Sequence, residues 1–216
     1  MYFTKKDIEE TPRKKRLNMI NSISGIKPAV LIGTRSVGEV TNLSIVNSTV
    51  HIGTNPAMLG YILRPTQEVR RHTYENILEN EVYTVNHIHK GFIENAHYTS
   101  AKFDADVSEF DACGLTEEYV NGFQAPFVKE SVLKMGLRHV ETVKITSNDT
   151  LLVIGAIEHL FIPDHIIDER GYLDLGAVDD VGISGLNSYY GLNKIAEFPY
   201  ARVEDVPDFL KKSALE

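Results

Sequence analysis

The sequence predicts a mainly β protein with peripheral helices, built as an antiparallel sheet closed into a small barrel. Three observations carry this. β-rich runs outnumber helical ones, consecutive runs are separated by short turn-forming segments, and no strand–helix–strand unit recurs at the spacing a parallel sheet needs. Closing six or seven such strands would remove exposed edges and bury the apolar run 151–162 on both sides. A chain of 216 residues, 43% apolar and 24% charged, fits one ordinary globular domain spanning 1–216. It would carry an N-terminal helical segment, 1–26, and a C-terminal covering segment, 163–216.

Along the chain, Leu17, Ile20 and Ile23 recur at helical spacing within 16–24, and Gly25 ends the pattern. A β-rich block follows: 29–34, then 36–39 with a turn glycine at Gly38, then 40–51 and 58–63. Thr73, Tyr74, Ile77 and Leu78 fall on a helical period that runs to about Asn80, with His72 or Thr73 as N-cap. "VYTVNHI" alternates like a strand, whereas "GFIENAHYTS" and "VSEFDACGL" form short helices, the second closed by Gly114. Two long β runs, 136–146 and 151–162, are joined by the turn "SNDT". From Pro163 onward the pattern is loops and one helix lying over the barrel or over a partner subunit.

Composition narrows function. The 30 acidic against 22 basic side chains give a net charge of −8, which repels a polyanion, so nucleic-acid binding is not expected. The start "MYFTKKDIEE" has no apolar h-region and no run of eighteen apolar residues occurs, so a cytoplasmic protein without membrane association is expected. Cys113 is the single cysteine, which excludes an intramolecular disulfide and reads as a structural thiol. His87 and His89 share one side of a strand but lack a nearby third ligand, so no metal site is expected.

The densest cluster of useful polar groups sets Asn42, Ser44, Asn47, Ser48 and Thr49 just ahead of Arg64, Arg71, His72 and Thr73. A helix start with arginine and threonine side chains suits a phosphate monoester, and a plain capped surface helix accounts for the same residues. Likewise 42–49 reads as a half-exposed strand with Leu43 and Ile45 inward. Against that, Asn47, Ser48 and Thr49 are consecutive and would place polar groups on both faces.

These segments also carry a family resemblance. "KPAVLIGT", "GEVTNLSIVNSTVHIGTNPAMLGYI", "RRHTYENI" and "YTVNHI", in that order, resemble the flavin reductase-like, FMN-binding split-barrel family that includes the flavoredoxins. The likeness covers roughly 16–165 and continues more weakly through "GLNSYYGLNKIAEFPYARV". It implies an antiparallel split barrel of Greek-key type, FMN as cofactor and a homodimer with the flavin in a cleft at the subunit interface. Position by position, it implies that 42–49 lies along the isoalloxazine ring through mostly backbone groups, with Asn47 and Ser48 nearest. Arg64, Arg71, His72 and Thr73 would hold the phosphate. Asn86, His97 and Ser100 would approach the flavin or the substrate side, His97 being the one candidate catalytic side chain. The flavin performs the redox step itself, which agrees with the lack of any nucleophile–base arrangement.

Two departures bear on the reaction. The Gly-Asp-His string of family members that dock a nicotinamide is absent, the nearest string being Pro163-Asp164-His165, and Lys27-Pro28 stands where the family has Arg-Pro. The resemblance thus implies hydride or electron transfer through FMN, with NAD(P)H or a redox protein as donor. An FMN-binding electron carrier without direct NAD(P)H oxidation, and a barrel binding another phosphorylated small molecule, are the alternatives.

Overall fold

The computed structural model describes residues 1–67 and 69–209. In chain order the elements are α1 (Lys5–Glu10), α2 (Arg13–Ile23), β1 (Lys27–Pro28), β2 (Val30–Arg35), β3 (Thr41–Val46), β4 (Thr49–Thr54), β5 (Ala57–Leu63), α3 (His72–Asn80) and β6 (Val82–His87). There follow α4 (Ile93–Tyr98), α5 (Glu109–Ala112), β7 (Glu117–Glu118), β8 (Phe127–Val128), β9 (Lys134–Ile145), β10 (Thr150–Phe161), β11 (Val181–Ser184) and β12 (Ser188–Gly191). Among the described residues no helix is long and apolar enough to cross a membrane.

Seven strands form one sheet in the order β3-β2-β6-β9-β10-β5-β4, antiparallel at every step. Only β2–β3, β4–β5 and β9–β10 are hairpins. The other pairings join strands distant in sequence, the non-sequential order of a Greek-key barrel. The run 40–51 is not one strand: β3 is one edge of the sheet and β4 the other, with only Asn47 and Ser48 between them. Two residues span about 10 Å at most from Val46 to Thr49, so the edges meet here and the sheet must be rolled up. Ser48 fixes the junction, accepting at its carbonyl from Ile62 N (3.3 Å) and donating Oγ–H to Ile62 O (2.9 Å).

β2 explains why "KPAVLIGT" is apolar without alternation. Val30 and Ile32 enter one buried cluster with Tyr61, Tyr83, Leu137 and Val153, into which α3 inserts Ile77. Leu31 and Ala29 enter a second with Leu43, Phe92, Phe110, Val128 and Ile183. Both faces of the strand are covered. Two glycines permit this closeness: a Cβ on Gly33 would lie 2.3 Å from Pro126 O, and one on Gly155 2.3 Å from the Tyr83 hydroxyl.

Other expectations change in detail. Residues 36–39 are a turn, closed by Ser36 N to Val40 O and Glu39 N to Ser36 O, with Glu39 in the left-handed region at φ 68°. The first predicted helix begins earlier, at Arg13, and is preceded by α1. α1 is announced by a capping box in which Thr4 and Asp7 exchange side-chain and backbone bonds. β10 is buried only at its centre, Val153 to Gly155, because its hairpin with β9 runs beyond the barrel. The C-terminal segment holds no α-helix up to residue 208; it supplies β11 and β12, which join β1 in a three-stranded sheet.

Candidate functional site

β3 alternates, so Leu43 and Ile45 face the core while Asn42 and Ser44 face the side of α3. Asn42 is buried and fully engaged: Nδ2 donates to Glu109 Oε2 (2.7 Å), and Oδ1 accepts from Thr73 Oγ1 (2.6 Å) and Thr34 Oγ1 (3.5 Å). Because a carboxylate cannot donate, Glu109 fixes the orientation of the Asn42 amide, and Asn42 in turn claims the Thr73 proton. Ser44 is half-buried on the same face. The outward backbone of β3 is also occupied, with Leu43 N donating to Glu109 Oε2 (2.9 Å) and Ile45 N to Thr99 Oγ1 (3.0 Å).

The corner differs. Asn47 Nδ2 donates to Gly185 O (2.9 Å), but the N–H and C=O of Asn47 and the N–H of Ser48 have no backbone partner among the described residues. Thr49, half-buried, pairs with Tyr61 at the start of β4. The consecutive polar residues 47–49 are thus explained: two of them turn the chain between sheet edges and need no inward face.

Ser48 holds Ile62, two residues before Arg64, so the corner and the basic turn are neighbours. Arg64 is exposed and Arg71 half-buried. Burial, then the charge of Arg64, pulls the Arg71 guanidinium below its usual value, and its Nε is buried without a hydrogen-bond partner. Neither arginine has a carboxylate partner among the described residues, whereas Arg70 between them is paired with Glu75 at 2.8 Å. α3 then starts with Arg71 at its N-cap position and no side chain capping it. His72 and Thr73 do not cap the helix: His72 is its half-buried first residue, and Thr73 turns to Asn42 because Glu109 makes Asn42 an acceptor.

Asn86 lies inside the molecule, on β6. Fully buried, it donates to Leu31 O (3.2 Å) and Thr84 Oγ1 (2.8 Å) and accepts from Val128 N (3.0 Å). His97 lies on the opposite side of β3 from α3, on α4, where Nδ1 is 3.0 Å from the Tyr189 hydroxyl. Both line a pocket of about 500 Å³ between α4 and the β11–β12 turn. Its two walls are each bonded to the site strand, α4 through Thr99 and Ile45, the turn through Gly185 and Asn47. Ser100 is exposed and donates to His97 O (2.8 Å). His87 and His89 are engaged separately, His87 with Asp180 (2.9 Å) and His89 with Gly91 N (3.0 Å). Lys27 Nζ bonds Asn21 O (2.7 Å), so its charge serves the end of α2.

Glu109 is the residue that sequence reasoning missed. Burial raises its carboxyl above the usual 4.5, opposed by bonds from the Leu43 and Glu109 amides and the Asn42 side chain, and by the charge of His72. A short acidic helix shows nothing of a strand 66 residues earlier in the chain.

Among the described residues the arrangement combines two unpaired guanidiniums, one with an orphaned buried nitrogen, an uncapped helix start, and unbonded backbone groups at an adjacent corner. An oxyanion such as a phosphate monoester fits the first two features, and the edge of a heteroaromatic ring fits the third.

Comparison with known proteins bears on the fold and the family. A model of the flavin reductase-like domain matches residues 25–176. A candidate flavin reductase with a split-barrel domain from Shewanella frigidimarina NCIMB 400 superposes with a TM-score of 0.89 at 47% identity, covering 93% of this chain and 100% of that one. Two more distant structures share the fold. Nitrilotriacetate monooxygenase component B from Bacillus cereus has a TM-score of 0.79 at 16% identity, covering 92% and 98% of the two chains. Flavoredoxin of Desulfovibrio vulgaris (Miyazaki F) has a TM-score of 0.70 at 19% identity, covering 82% and 92%. A protein of Aquifex aeolicus (strain VF5) whose name gives no function is 24% identical over 115 residues; the match spans 53% of this chain and 58% of that relative. With the split barrel, its antiparallel order and the matched domain in agreement, the chain belongs to the flavin reductase-like domain family.

Proposed function

We propose that this protein is a cytoplasmic FMN-binding oxidoreductase that works as a homodimer. The observation that carries this is Arg71: among the described residues its buried Nε has no partner, and its guanidinium stands beside Arg64 with no carboxylate to neutralise either. A protein gains nothing from such a pair unless an anion completes it. Arg64, Arg71 and the first amides of α3 would hold the FMN phosphate. The free backbone groups of Asn47 and Ser48 would bond the ring edge, and Glu109, through Asn42 and Thr73, holds β3 and α3 in fixed relation. Bound FMN supplies hydride or electron transfer. The 500 Å³ pocket beside the corner, with His97 at its wall, is large enough for a second reactant.

Among the structural neighbours, one is an FMN-binding protein from Thermus thermophilus and another a flavoredoxin, which supports FMN over other phosphorylated ligands. The donor is NAD(P)H or a redox protein. Pro163-Asp164-His165 favours the second reading, an electron carrier, since Asp164 and His165 are both exposed in a short turn. The visible spectrum of the purified protein, with and without added FMN, tests the flavin reading; absence of flavin absorbance and of FMN uptake would end it. Anaerobic mixing of the FMN form with NADH or NADPH separates the two roles, because rapid bleaching contradicts a pure carrier.

A further inference from the structure

Two segments, α2 and residues 198–209, leave apolar surface that nothing among the described residues covers. None of the eleven residues of α2 is buried, although Leu17, Ile20 and Ile23 share one face and are 40%, 46% and 79% exposed. The last described segment is equally bare: Phe198, Tyr200 and Val203 are 83%, 86% and 90% exposed, and Val206 and Phe209 follow. Aromatic side chains carry roughly 150–250 Å² each, so this segment presents more apolar area than a monomer ordinarily exposes in one patch. Together with the α2 face it approaches the roughly 800 Å² per partner of a stable interface.

We propose that residues 198–209 of one copy lie along the apolar face of α2 of a second copy, each giving its tail and receiving the other's. Charge favours this pairing. Arg13, Lys14 and Lys15 have no ion-pair partner among the described residues, and the tail brings Glu204 and Asp205 between its apolar side chains.

Topology favours it as well. α2 leads into β1 and the tail leaves β12, the two outer strands of the sheet β1-β11-β12, so both bare segments flank the same small sheet. Glu197, at the start of the tail, bonds Arg170 and Lys194 of its own copy. Beyond it, the twelve residues 198–209 can reach up to about 40 Å when extended. An exchange in which the same two surfaces meet twice about a two-fold axis satisfies both copies and closes the assembly.

The inference goes beyond the flavin reading and needs no flavin, so it is tested on mass and cross-linking alone. The full chain should sediment as a dimer, and truncation after Glu197 should raise the dimer dissociation constant at least 100-fold. Ile20→Glu with Ile23→Glu should weaken the dimer at least 10-fold without unfolding it, because both side chains are exposed in the single copy. A mixture of Ile20→Cys copies and differently tagged Phe198→Cys copies should form a disulfide between chains on mild oxidation. A monomeric full chain, a dimer indifferent to the truncation and the glutamates, or a mixture of the two cysteine variants that forms no disulfide between them would overturn the proposal.

Discussion

Arg71→Ala separates a binding residue from a structural one. The guanidinium is half-buried, displaced below its usual value by burial and by Arg64, and its Nε has no bond within the described protein. Removing it deletes a desolvated charge and breaks no hydrogen bond or ion pair among the described residues, so the apo-protein should be as stable as the parent or somewhat more so. A charge-assisted bond to phosphate contributes about 1.5–3 kcal/mol, so FMN affinity should fall about 10- to 150-fold. Arg71→Lys keeps the charge without the planar fork and should fall between. The assay pairs quenching of flavin fluorescence by apo-protein with urea unfolding of the same preparations. Unchanged FMN affinity in Arg71→Ala would refute the assignment. So would a loss of affinity matched by an equal loss of apo stability, which would make Arg71 a structural residue.

Three further outcomes follow from particular contacts. Burial raises the Glu109 carboxyl above 4.5, so the folded state holds this proton more tightly than the unfolded chain. The Glu109 contribution to stability is therefore full below pH 4.5 and declines as pH rises through the raised folded value. Urea midpoints between pH 4.5 and 7 should show this decline in the parent and a flatter profile in Glu109→Gln; identical slopes would contradict it. Asn86→Ala leaves Val128 N unsatisfied in the core and should cost about 1–3 kcal/mol in unfolding free energy, while the folded fraction keeps its FMN affinity. A selective loss of FMN binding would place Asn86 at the site after all. Gly33→Ala puts a Cβ 2.3 Å from the Pro126 carbonyl and should cost about 1–3 kcal/mol, seen as a lower Tm by calorimetry.

What the sequence disclosed follows from the range of each interaction. Strands such as "VYTVNHI" and the "SNDT" hairpin were legible because alternation and turn chemistry are local, and Asn148 caps its own turn by accepting from Thr150 N at 3.2 Å. The helix from His72 to Asn80 was legible through its period, but not its cap, because Thr73 is claimed by Asn42, 31 residues away. The break at Asn47 and Ser48 showed only as three consecutive polar residues in a β-prone run, because no glycine or proline marks it and only the meeting of two sheet edges separates the strands. The polar set from Asn42 to Thr73 was found as a list. Its division of labour was not, since Glu109, the Thr99 hydroxyl and Gly185 all reach it from later in the chain.

That division narrows where a flavin ring can be held. A ring laid along the whole of 42–49 would find Leu43 N and Ile45 N already donating to Glu109 and Thr99, and Asn42 enclosed by Glu109, Thr34 and Thr73. Competing for those donors would mean stripping a buried carboxylate of its bonds, which costs more than a neutral ring acceptor returns. The open groups are concentrated at the corner, beside the basic turn on one side and the His97 pocket on the other. A ring held there would be bonded by this chain through the backbone groups of Asn47 and Ser48, and its other edges would still need covering. Closing them without blocking the pocket requires surface from elsewhere, and the small sheet that carries Gly185 also carries the two bare segments at which a second copy would dock.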